Sequence, residues 1–149
     1  MNGRNDRIRE ACWYADRLLI GRHYRAVLGL CSHALAEEGD DPGLHLRRAR
    51  ALLAMHRDAE AAVDVERARA ISPGCIDAYV LLAEIALRQK DLRLAERHLK
   101  VALRRSPAHP RAGELRLVLT GWYRAAYQIA AGRRVAPIAE LVPALKKAA

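Results

Sequence analysis

Long apolar runs are missing from this 149-residue chain. No window approaches the roughly 20 apolar residues that a membrane-spanning helix requires, which excludes an integral helical membrane protein. The first ten residues, Met1 to Glu10, alternate in charge and hold no apolar core; this argues against a secretory signal and makes the cytoplasm the expected location. Cysteine is scarce. Cys12, Cys31 and Cys75 are odd in number and widely spaced, so they suggest neither a disulfide framework nor a zinc cluster, and reduced packing thiols are expected. Cys31 and His33 make a lone Cys-x-His without the second pair that zinc demands. A phosphate-binding loop is also lacking, since Gly21, Gly29, Gly113 and Gly121 stand singly. No nucleophile with its base and orienter is visible, and most of the six histidines (His23, His33, His45, His56, His98, His109) are expected on turns or exposed helix faces. Neither catalysis nor a metal or cofactor is expected.

What is present is a chain with 52% apolar and 29% charged residues, large enough for one domain or a short repeat array. Lys and Arg number 26 against 17 acids, giving +9, and only 4 of the 26 are lysine, a bias toward arginine that weakens any claim that each cation was placed for a ligand. The excess grows along the chain: residues 110–149 alone hold 7 basic and 2 acidic side chains.

A 34-residue period organises residues 8 to 109. Ser72-Pro73 and Ser106-Pro107 are one period apart, and the same ungapped register aligns small residues at three places. Ala15, Ala49 and Ala83 coincide; so do Ala34, Ala68 and Ala102, and Val27, Ala61 and Ala95. Side chains of so few atoms belong where two helices cross closely. Larger apolar residues fill the intervening positions: Leu18, Leu52 and Ala86, then Cys31, Val65 and Leu99. The periodicity predicts helices at about 6–20, 23–37, 42–55, 58–71, 76–89 and 92–105. Gly39-Asp40-Asp41-Pro42 forms the first break, and beyond Pro110 helical spacing continues through Leu115, Val118, Leu119, Trp122, Tyr123, Ala126 and Ile129 to an end near Gly132.

This register resembles the tetratricopeptide repeat family. The third unit carries the likeness best, with Tyr79, Leu82, Ala83, Ala95, Leu99, Ala102 and Pro107. The second keeps Ala49, Leu52, Ala61, Val65, Ala68 and Pro73 but has Arg48 where the family has Leu, and the first has Gly39 in place of the closing proline. The resemblance implies an all-α right-handed superhelix of three helix-turn-helix repeats (8–41, 42–75 and 76–109) after a lead-in of residues 1–7. A capping helix over 110–132 and a short basic helical tail over 133–149 would follow, the tail opened by Pro137 and bent by Pro143.

The same resemblance implies a protein-binding adaptor whose concave groove is lined by the first helix of each repeat. Its offsets select Cys12, Asp16 and Leu19, then Leu46, Arg47, Arg50 and Leu53, then Val80, Glu84, Leu87 and Arg88. Leucine and valine would receive the apolar anchors of a partner peptide or helix, and arginine its carboxylates. The chain's own tail, with Ile138, Leu141, Val142 and Leu145, is an alternative occupant, and a second copy another. Family members that grip a chaperone's terminal carboxylate need cations that Asp16 and Asp77 replace here, so that role is not expected. Two further readings stay open: a small secretion-type chaperone, suggested by size and layout, and binding of nucleic acid or another anionic surface through Arg116, Arg124, Arg133, Arg134, Lys146 and Lys147 beside Trp122, Tyr123 and Tyr127.

Overall fold

The computed structural model describes residues 3–134. Among them the chain is all-helical, with seven helices and no strand: α1 (Gly3–Ile20), α2 (Tyr24–Glu38), α3 (Pro42–Ala54), α4 (Asp58–Ile71), α5 (Ile76–Arg88), α6 (Leu92–Arg105) and α7 (Pro110–Ala130). None of the seven is long and apolar enough to cross a membrane. The helical tail expected around Pro137 and Pro143 lies outside the described residues.

Helix ends follow from local chemistry. Asp41 caps α3 by accepting a hydrogen bond from the Leu44 N–H at 3.0 Å, with Pro42 in the first turn where its missing N–H costs nothing. Asp91 does the same for α6 through Leu94, also at 3.0 Å, and His109 Nδ1 accepts from Ala112 ahead of α7. The C-terminal ends of α1, α3 and α5 share one device. Arg22, His56 and Lys90 all have left-handed backbone, with φ of 60°, 58° and 62°. Each donates its N–H three residues back, and the next residue donates five back, as in His23 to Leu18, Arg57 to Leu52 and Asp91 to Ala86. This closes the last carbonyls of the helix in a Schellman cap. The three positions are 34 residues apart, so the period read in the alanines recurs in the backbone. Gly132, with φ of 71°, ends α7 the same way and is the one of the four whose residue type suits that conformation.

The chain divides into two compact units, residues 1–81 and 82–149. In the first, α1, α2, α3 and α4 pack in sequence, with α1 also against α3. Its core begins with Ile8, Ala11, Ala15, Val27, Cys31, Leu44 and Ala51. Ala15, Ala49, Ala61 and Ala68 are fully buried, as expected of crossing positions, whereas Ala34 is only half-buried. Residues 3–7, expected as a lead-in, are helical. Arg4 donates to the Glu38 carbonyl and Arg7 pairs with the Glu38 carboxylate, which ties the start of α1 to the end of α2.

In the second unit, α6 packs on α7; the buried residues are Ala95, Leu99 and Ala102 of α6 and Ala112, Leu115, Val118, Leu119 and Ala125 of α7. Most of the α7 core lies in its first half. Tyr123, Ala126 and Ile129, which continue the apolar spacing, are exposed.

Candidate partner-binding face

The candidate residues of the first unit come from α1, α3 and the start of α5, and they are held in place by ion pairs between these helices. Arg47 places Nε and Nη2 on the two carboxylate oxygens of Asp16, at 2.9 and 2.7 Å, and its Nη1 donates to the Gly43 carbonyl at 3.1 Å. All three guanidinium nitrogens are engaged. Burial works against the charge of Arg47, yet the Asp16 hydrogen bond and neighbouring charges outweigh it and raise its pKa. Gly43 makes the arrangement possible: a Cβ there would sit 3.0 Å from the Asp41 carboxylate and 3.1 Å from Arg47 Nη1, so any larger residue would push the guanidinium aside. One turn on, Arg50 reaches Asp77 at 3.4 Å, a looser contact between half-exposed side chains. Arginines expected to present free forks to a partner therefore already hold this chain's own carboxylates. A bidentate pair satisfies more of its partners than a single exposed contact does, so Arg47 is the more committed of the two.

The apolar members sit deeper than a lining needs. Leu46, Leu53 and Val80 are buried, at 5%, 4% and 3% exposure, whereas Cys12 and Leu19 are half-buried against the core. Burial raises the Cys12 thiol pKa and pushes that of Cys31 up to about 12, which makes both poor nucleophiles. In the second unit, Leu87 is buried, Arg88 half-buried, and Glu84 held by Arg111, whose Nη2 lies 3.0 Å from it while Nη1 reaches Glu114 at 2.9 Å.

Sequence reasoning missed a buried polar cluster in the first unit. His45, one of six histidines of which most are expected on turns or exposed faces, is buried between two carboxylates, with Nδ1 3.0 Å from Asp64 and Nε2 3.0 Å from Asp40. Asp64, itself 4% exposed, also receives Arg48 through Nε at 2.8 Å and Nη2 at 2.5 Å. Arg48 further donates to Ser32, and Arg67 holds the outer side of Asp40. The Arg67 and His45 hydrogen bonds pull the Asp40 carboxyl below its ordinary pKa. The correction has a physical reason: a buried imidazole is tolerable when both ring nitrogens have partners, and here they do. The available signal was Arg48 at a family leucine position, which needed a buried acid to accompany it.

Residues 59–118 match the family model of the tetratricopeptide repeat. These residues carry the tetratricopeptide repeat pattern. No curated protein and no solved structure matches the chain. Tetratricopeptide repeats serve generally as scaffolds for contacts between proteins and are typically non-catalytic, which is what the match over these residues suggests.

Proposed function

We propose that this chain is a tetratricopeptide repeat protein and a non-enzymatic adaptor that holds a peptide segment or helix of a partner protein against the first helices of its repeats. The repeats would span 8–41, 42–75 and 76–109, with 110–132 as cap, and the adaptor would work in the cytoplasm. In the first unit the accessible part of the face comprises Cys12, Asp16, Leu19, Arg47 and Arg50, with Leu46, Leu53 and Val80 buried beneath it; Glu84 and Arg88 hold the same register in the second, over the buried Leu87. The observation that carries the reading is the pairing of α1 with α3 through Asp16 and Arg47, and of α3 with α5 through Arg50 and Asp77. Such pairing holds neighbouring first helices in fixed register and presents charges of both signs beside apolar residues, a pattern that selects a partner by complementarity. A partner carboxylate would engage Arg50 first, because its own contact is the longer.

Site-specific photo-crosslinking tests the proposal. A photoreactive residue at position 19, on the proposed face, is compared with one at position 63, an exposed site on α4. A partner crosslinked from position 19 and not from 63 is the expected result; the reverse pattern would remove the partner from the first-helix face.

A further inference from the structure

The second unit carries a feature that its own stability does not explain. Along α6, Arg93, Arg97, Lys100 and Arg104 fall at i, i+4, i+7 and i+11, and all four are exposed. At about 100° per residue they lie within about 60° of one another, in a line about 16 Å long. None has a carboxylate partner among the described residues. Neighbours at these spacings repel one another. Arg93 also sits in the first turn, where the helix's partial positive charge disfavours a cation, and that turn holds no acidic residue. The stripe is thus arranged against its own repulsion and, at Arg93, against the helix dipole, which favours only Arg104 in the last turn.

The one acid within α6, Glu96, is held at 3.1 Å by the Tyr123 hydroxyl of α7, which donates to it. With Arg93 and Arg97 these two line an open depression of about 780 Å³. On α7, Tyr127, one turn beyond Tyr123 and on the same side of the helix, is exposed as well, so the unit offers apolar ring surface in addition to positive charge.

We infer that the α6 stripe, with the α6–α7 depression, is a second interaction surface, and that its partner is an acidic amphipathic α-helix of another protein. Two helices laid side by side share one rise per residue, so carboxylates at i, i+4, i+7 and i+11 of the partner meet the four cations in register. Its apolar flank covers exposed residues of α7. A nucleic-acid strand fits the observations less well. It would put phosphates beside Glu96, and Tyr123, the one aromatic lining the depression, has its hydroxyl tied to that acid. The inference does not depend on the first-helix face, which lies on other helices.

The test uses the full chain and a synthetic helical peptide with glutamates at i, i+4, i+7 and i+11, against a peptide of the same composition with its glutamates spread round the helix. A uridine homopolymer and phosphatidylserine vesicles serve as other anionic probes. Affinity is measured at physiological ionic strength for the native chain, for R93Q/R97Q/K100Q/R104Q, and for the charge-matched control R17Q/R22Q/R25Q/R133Q; circular dichroism confirms that each is helical. The expected result is preference for the one-sided peptide, weakened about tenfold or more by the stripe substitutions and about twofold or less by the control. Equal losses in the two variants, equal binding of the two peptides, or tighter binding of the homopolymer or vesicles would overturn it.

Discussion

The two units of this chain use arginine in opposite ways. Residues 1–81 hold 12 basic and 12 acidic side chains and are neutral; residues 82–149 hold 14 and 5 and carry the whole +9. In the first unit arginines are structural: Arg7, Arg47, Arg48, Arg50, Arg57, Arg67 and Arg69 each pair with a carboxylate. In the second, Arg111 bridges Glu84 and Glu114 while the α6 stripe faces water. Paired charges position helices against one another. Unpaired ones create a field that acts on whatever approaches.

The sharpest way to break this comparison is to remove one acid from each unit. Asp64→Ala leaves Arg48 and His45 without their shared carboxylate in the interior and should cost about 3–5 kcal/mol in urea denaturation. Glu96→Ala, an exposed acid in the second unit, should stay within about 0.5 kcal/mol. A similar loss from both would mean that the cluster is not what holds the first unit.

A smaller effect tests packing instead of charge. Ala83 is fully buried, and Ala83→Leu overpacks its crossing at an expected cost of about 1–3 kcal/mol. An unchanged melting temperature would contradict the register. The N-caps give one matched substitution per unit: Asp41→Ala and Asp91→Ala should each cost about 1 kcal/mol, read from the same melts.

Acid should separate the units. Arg7 lowers the Glu38 pKa, and Arg67 with His45 lowers that of Asp40. A carboxyl whose folded pKa lies below its unfolded value of about 4 contributes stability above that value and loses it as pH falls through the folded one. Hydrogen exchange followed downward from pH 5 should therefore show α2 and α3 losing protection at the Glu38–Asp41 break. Protection that stays constant to pH 2 would remove these pairs from the account.

The part of the fold legible in the sequence was the part that repeats. Alanine at helix crossings is dictated by contact distance, so Ala15, Ala49 and Ala83 announce the period without reference to tertiary detail, and Gly39, Pro42 and Pro110 mark boundaries through backbone chemistry alone. The Schellman caps escaped notice because Arg22, His56 and Lys90 are not residues that choose a left-handed conformation. The surrounding helix pair imposes it on them. His45 and Asp64 escaped for a related reason: nineteen positions apart, neither is unusual alone, and only the packing of α3 on α4 reveals that each is the other's solvent. Of the candidate face the state of its residues was not legible, since neither the engagement of Arg47 with Asp16 nor the burial of Leu46, Leu53 and Val80 follows from a linear pattern.

The recurring left-handed residue has a consequence for how such a chain can change. A joint that accepts arginine, histidine or lysine with the same dihedral angles and the same two hydrogen bonds is a standard connector, indifferent to what is mounted on either side. Helix pairs joined in this way can be duplicated, deleted or exchanged as whole pieces, because no connector has to be refitted when its neighbours change. The surface each piece presents is then free to differ, as charge does between the neutral and basic halves of this chain.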